Sequence, residues 1–202
     1  MQKHTYVSGA KSMKKRLFLI GPDRCGKSDM IHKTLGNQIR RAGGFITVRE
    51  LDADGNIQSF DLKAADGSGQ RSRFLEFVNG QPMTRLEVFS QTGTRLLRQA
   101  QSRPFAVLDE LGGVELLDDG FVRALVKLLR GNTPCIGVMK GSGPAGKVVG
   151  VMGLNLRYEL ARRALFDYLT RDPDTQVIQT TGKDDAEVLA MVETWAAEYV
   201  KE

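Results

Sequence analysis

Leu17-Phe18-Leu19-Ile20-Gly21-Pro22-Asp23-Arg24-Cys25-Gly26-Lys27-Ser28 carries the reading of the fold. The four apolar residues predict a short strand over 16–21. The eight that follow satisfy G-x-x-x-x-G-K-[ST], a loop whose backbone N–H groups wrap a phosphate. Glycine at both ends permits conformations and close approaches that a side chain obstructs. Met30, Ile31, Leu35 and Ile39 then recur at helical spacing, which predicts a helix over 27–41. Its unpaired N–H groups and positive dipole end face the anion. In this pattern Gly21, Pro22, Asp23, Arg24, Cys25, Gly26, Lys27 and Ser28 hold the nucleotide. Lys27 reaches the β- and γ-phosphates, and the Ser28 hydroxyl ligates Mg²⁺.

A metal held there needs a carboxylate on its far side, and Pro104-Phe105-Ala106-Val107-Leu108-Asp109-Glu110 offers one at the end of an apolar strand. Asp109 accepts from Mg²⁺-bound water, while the adjacent Glu110 orients or deprotonates the attacking water. Alone, an acidic strand end is more often structural. A phosphate loop in the same chain favours the functional reading.

At 202 residues the chain is most simply one domain, 1–202, with an ordinary core. No apolar stretch approaches the ~20 residues that span a bilayer. Met1 to Arg16 is polar and basic without a secretory apolar core, so a flexible basic segment is expected over 1–15, and no signal peptide. The two cysteines, Cys25 and Cys135, suit a reducing, cytoplasmic setting. Cys25 sits where a lysine and a helix start favour the thiolate, a setting for oxidative inhibition; a plain loop-filling role is the simpler account. The net charge of +5 is spread, with modest clusters at Lys11–Arg16 and Arg157–Arg163. It is compatible with nucleic acid without pointing to it, since no aromatic-interleaved basic patch is present. His4 and His32 stand isolated, and no Cys/His spacing suggests a transition-metal site.

Strand and helix patterns alternate, which predicts an α/β fold with a mostly parallel sheet. The helix over 27–41 is expected to end at Ala42-Gly43-Gly44. Phe45 to Leu51 and Ile57 to Leu62 flank an Asp-Gly-containing turn and read as an antiparallel hairpin. Short strands are expected at 73–78 and 86–90, and a helix at 92–102. Asp118-Asp119 caps a helix with Phe121, Val122, Leu125, Val126 and Leu129 inward, ended by Gly131. A strand over 133–139, a glycine-rich loop over 141–153, a helix over 155–170, a strand over 175–180 and a helix from Asp184 complete the chain. Gly141-Ser142-Gly143-Pro144-Ala145-Gly146 fits G-x-G-x-x-G, but Pro144 and the β-branched residues after it do not open a dinucleotide-binding helix.

The phosphate loop, Gly43-Gly44-Phe45-Ile46-Thr47-Val48-Arg49-Glu50, Val88-Phe89-Ser90 and Val107-Leu108-Asp109-Glu110-Leu111-Gly112-Gly113-Val114-Glu115-Leu116 together resemble the small P-loop nucleoside-triphosphatases first described from thermophiles. The resemblance spans most of 16–140. It implies a RecA-like three-layer α/β/α P-loop NTPase fold and Mg²⁺-dependent hydrolysis of ATP, GTP and other nucleoside triphosphates to diphosphates. Carried over by motif, Lys27 binds phosphate, Ser28 and Asp109 serve the metal, and Glu110 activates water. Arg49 falls in a family arginine position without an assigned role. Past 141 the chain departs from the family, and 141–172, with Arg157, Arg162 and Arg163, reads as a lid or insertion or as a solvated basic helix face.

Two other functions use the same motifs. A kinase acting on a nucleotide, a nucleoside or a polynucleotide end would deliver the γ-phosphate to a hydroxyl that the acidic pair activates. A nucleotide-gated binding switch would use slow hydrolysis only to reset itself. Oligomeric state leaves no trace in the sequence.

Overall fold

Alternation along the strands decides which way each helix packs. In β1 (Arg16–Ile20), Leu17 and Leu19 point to one face of the sheet and Phe18 to the other. The computed structural model describes residues 12–140 and 156–201. After β1 come α1 (Lys27–Leu35), β2 (Gly43–Leu51), β3 (Ile57–Ala64), β4 (Ser72–Val78), β5 (Gln81–Thr84) and α2 (Thr94–Ala100). Then follow β6 (Ala106–Leu111), α3 (Asp119–Leu129), β7 (Cys135–Met139), α4 (Leu156–Arg171), β8 (Thr175–Gln179) and α5 (Ala186–Tyr199).

The described strands form one eight-stranded sheet in the order β5-β4-β3-β2-β6-β7-β1-β8. From β2 to β8 all neighbours run parallel, and β3, β4 and β5 extend that half as an antiparallel meander. Helices cover both faces of the parallel half. Leu17, Leu19, Val107, Ile136 and Val138 pack with Met30 and Ile31 of α1 and Val188, Val192 and Trp195 of α5. Phe18, Leu108 and Cys135 pack on the other side with Leu97 of α2, Phe121 and Leu125 of α3, and Leu165 and Leu169 of α4. Each such Leu or Phe taken fully from water contributes about 1.5–3 kcal/mol. The result is the expected three-layer α/β/α arrangement with a mostly parallel sheet, and the antiparallel part is longer than a hairpin.

Several boundaries differ from expectation, each for a local reason. The helix predicted over 27–41 stops at Leu35, because Gly36 takes φ 49° and its N–H turns back to the His32 carbonyl; a 3-10 segment, Gly36–Arg41, follows. Gly43 and Gly44 open β2 rather than closing that helix. Gly44 has φ +88°, and a Cβ there would lie 2.2 Å from the Val107 carbonyl oxygen. The stretch 86–90 is not a strand: Phe89 and Ser90 donate back to Leu86, and Phe89 starts a π turn into α2. Gln81–Thr84, which alternation did not single out, is the edge strand instead. In α3 the inward residues include Ala124 and Leu128, with Val122 and Val126 half-buried. Of the stretch expected to be flexible, 1–15, residues 1–11 lie outside the described residues, and Met13 and Lys15 lie against α5. Met13 N–H donates to Glu198 at 2.8 Å, Tyr199 donates to the Met13 carbonyl at 2.7 Å, and Trp195 donates to that of Lys15. The expected glycine-rich loop, 141–153, lies outside the described residues.

Candidate active site

The carboxyl ends of β1, β2, β6, β7 and β8 open on one edge of the sheet, where ligands of open α/β folds gather. The loop between β1 and α1 is shaped by Gly26, whose φ is +90° and whose Cβ, if present, would sit 2.7 Å from that of Lys183. Gly26 also stands at the N-cap of α1 and offers no side chain to the helix's first N–H groups, which suits an anion there. Lys27 is buried, and its ammonium donates to the carbonyls of Gly21 at 3.1 Å and Pro22 at 2.5 Å, with Cys25 Sγ 3.6 Å away. The segment after β8 braces the loop from the side. Thr180 N–H donates to Ile20 and Lys183 N–H to Cys25, each through the carbonyl oxygen.

The acidic strand end meets this loop directly. Ser28 Oγ donates to Asp109 Oδ1 at 2.9 Å. Burial pushes the Asp109 carboxyl up to about 7, with the Ser28 hydrogen bond opposing the shift. His32 Nε2 stands 3.9 Å from Asp109 Oδ2, and burial lowers the imidazole's pKa. Among the described residues this buried nitrogen has no hydrogen-bond partner. Ser28 and His32 are four apart on α1 and so share a face.

Glu110 is largely buried between two cations, with Oε2 3.8 Å from Arg49 Nη2 and 3.7 Å from Lys140 Nζ. The peptide bond between Asp109 and Glu110 is cis, and the β6–β7 register shifts there. The turn that follows is braced from beneath. Glu115 Oε1 accepts from the N–H groups of Gly112 at 2.6 Å and Gly113 at 2.8 Å, and Tyr158 donates to the Gly112 carbonyl at 2.9 Å. Burial raises the Glu115 pKa.

Three hollows adjoin these groups. The first, about 460 Å³, is lined by Lys27, Ser28, His32, Arg49, Asp109 and Glu110. A second, about 510 Å³, separates Arg24, Cys25 and Asp29 from residues 181–184. A third, about 480 Å³, lies against Glu110 and is walled mainly by apolar side chains of β3 and β4. Of the sequence-predicted residues, Lys27, Ser28, Asp109 and Glu110 therefore share one hollow, with Arg24, Cys25 and Gly26 at its edge. Gly21 and Pro22 stand behind, as acceptors for Lys27. Of the arginines on the helix after 155, Arg157 pairs with Asp119 at 2.8 Å and Arg162 with Glu159 at 3.2 Å. The residues that sequence reading missed are His32, Lys140 and Thr47, whose hydroxyl accepts from the Glu110 N–H at 3.4 Å, while Arg49, quoted without a role, lines the same hollow.

The donor set fits Mg²⁺. One hydroxyl and one carboxylate stand together, and among the described residues no group of three or more His, Cys, Asp or Glu is placed to hold a metal ion. A hard cation that takes the rest of its shell from phosphate and water suits that pair.

A family model described as NTPase matches residues 16–154. The nucleoside-triphosphatase THEP1 of Methanosarcina acetivorans is 25% identical over 136 residues, covering 63% of this chain and 77% of the relative. The cancer-related nucleoside-triphosphatase homolog of Mus musculus is 29% identical over 153 residues, covering 67% and 78%. Among solved structures, THEP1 from the hyperthermophile Aquifex aeolicus aligns with a TM-score of 0.57 at 17% identity, over 87% of this chain and 95% of that one. A human cancer-related nucleoside triphosphatase aligns at 0.60 and 21%, over 91% and 97%. At those identities the structural likeness speaks to the fold, a P-loop fold.

Proposed function

The chain belongs to the NTPase family, and from that premise we propose that it is a Mg²⁺-dependent phosphohydrolase that cleaves nucleoside triphosphates, ATP and GTP among them, to diphosphate and phosphate. The observation that carries this reading is the bond from Ser28 to Asp109, which joins the phosphate loop to the acidic strand with Glu110 alongside.

In this account residues 21–28 cradle the phosphates with backbone N–H groups, and Lys27 turns from the Gly21 and Pro22 carbonyls to the β- and γ-oxygens. Ser28 and Asp109 would hold Mg²⁺, which when bound neutralises charge on those oxygens. Glu110, fixed between Arg49 and Lys140, orients the attacking water and takes its proton. Arg49 faces the same hollow and supplies positive charge where negative charge develops on the phosphoryl oxygens in the transition state. The nucleoside end lies toward residues 181–184, where polar side chains of Arg24, Asp29, Thr181 and Lys183 line the cleft and accommodate different bases.

We treat the whole chain as one domain, and two free cysteines suit a cytoplasmic setting. No helix among the described residues is long and apolar enough to cross a membrane. The test is phosphate release from γ-labelled ATP and GTP with Mg²⁺. Release by the wild type that Lys27→Ala abolishes is the expected result; release unchanged in that variant would contradict it.

A further inference from the structure

Glu110 borders two hollows, and only one of them belongs to the phosphates. On its other side lies the cavity of about 480 Å³, the size of a small-molecule site. Phe45, Phe60, Phe74, Phe77 and Phe89 line it, with aliphatic side chains of β3 and β4 between them. Phe45, Phe74 and Phe89 are packed in the core and form the floor of this chamber, while Phe60 and Phe77 are half-buried along its wall. Its charged groups collect at one end, where Arg24, Arg49 and Glu110 line this cavity and the phosphate hollow alike.

Sheet order gives the chamber a direction. β1 stands between β7 and β8, so residues 181–184 reach one flank of the phosphate loop and β6, with Glu110, lies on the other. A triphosphate whose γ end faces Glu110 runs its nucleoside toward 181–184. The aromatic chamber then lies beyond the γ-phosphate, on the side from which a nucleophile arrives.

The lining also narrows the occupant. Five rings favour a flat aromatic body through stacked and edge-to-face contacts. Asp23, Glu110 and Glu115 balance Arg24, Arg49 and Lys140 at the charged end, which suits an uncharged polar head over an anion. Among the described residues of the lining Thr47 is the lone neutral polar side chain, so the several hydrogen-bonding groups of a nucleobase would find few partners there.

We propose that this chamber binds a phosphoryl acceptor: a small alcohol on an aromatic ring, the ring among the phenylalanines and the hydroxyl at Glu110. The inference rests on Glu110 being the residue that activates the nucleophile. The hydroxyl oxygen bonds to the γ phosphorus, and the bond from that phosphorus to the β,γ-bridging oxygen breaks. The hydroxyl proton passes to Glu110 and then to solvent. The products are a nucleoside diphosphate and a phosphate monoester, with water as the competing acceptor.

The experiment follows the label from γ-labelled ATP and Mg²⁺ on the full chain with benzyl alcohol, thymidine or glycerol at equal millimolar concentration. Labelled benzyl phosphate that saturates with benzyl alcohol and exceeds the other two esters at least tenfold is the expected result. Phe77→Ala, which opens the wall, and Ile57→Trp, which fills the chamber from its rim, should each lower the ratio of ester to inorganic phosphate at least tenfold. Inorganic phosphate without benzyl phosphate would overturn the acceptor site and leave the hydrolase standing. A preference for thymidine or glycerol would overturn the aromatic-alcohol assignment. Absence of both phosphate and ester would overturn the reading of Glu110 with it.

Discussion

Ser28 Oγ donates to Asp109 Oδ1 at 2.9 Å across 81 residues of sequence, so the phosphate loop and the acidic strand are already one unit. Ser28→Ala should lower phosphate release roughly 10²-fold and raise the Mg²⁺ concentration needed for half-maximal rate. Ser28→Thr, which keeps the hydroxyl, should retain most activity. Steady-state release over a magnesium titration, with a chelator control that abolishes turnover, checks both.

Arg49 lies 3.8 Å from Glu110 and faces the ring of Phe60 at 5.9 Å, which holds its guanidinium at the mouth of the phosphate hollow. If that charge meets the transition state, Arg49→Ala should cost on the order of 10³-fold in kcat with KM little changed. Arg49→Lys should restore little, since a flexible ammonium does not reproduce the planar fork. Separate kcat and KM values with ATP decide this; an equal loss confined to KM would mean ground-state binding.

Burial holds the Asp109 carboxyl at about 7, far above its ordinary 3.8. The fold therefore favours the neutral acid. That contribution is full below the unfolded value and is lost as pH rises through the folded one, so Mg²⁺-free protein should lose stability between pH 4 and 7. Asp109→Asn removes the ionisation and should raise the Tm at pH 8 by about 2–6 °C over wild type, with little gain at pH 4. Thermal unfolding in chelator at both pH values measures it; a gain equal at both would point to packing instead.

Much of this was legible because it is written contiguously. A strand, a phosphate loop and a helix start occupy consecutive residues, and Phe105 to Glu110 reads as a strand with an acidic end. Their meeting is not written that way, because it depends on β7 lying between β6 and β1. The same gap hid Lys140, at the end of β7, and Thr47 and Arg49, on β2. His32 was within reach, standing four residues after Ser28 on one helix face, yet Asp109, 3.9 Å from it, is distant in sequence. The meander misled for another reason. Pro82 in Gln81–Thr84 is tolerated because β5 is an edge strand, whereas the strand-like alternation of Leu86 to Phe89 serves equally to place two apolar groups three apart in a turn.

Tyr158 ties α4 to the turn after the acidic strand, and its buried hydroxyl donates to Gly112. Tyr158→Phe strands that carbonyl and should cost about 0.5–1.5 kcal/mol. Denaturant unfolding should show the loss as a lower midpoint at unchanged slope.

Glu110 is the residue on which the account turns, and Glu110→Gln keeps its shape while removing its capacity to take a proton. Phosphate release and ATP affinity should be measured on the same preparation. The account predicts that release falls by about 10²–10⁴-fold while the dissociation constant for ATP stays within a few-fold of wild type. Release at the wild-type rate with affinity intact would contradict it.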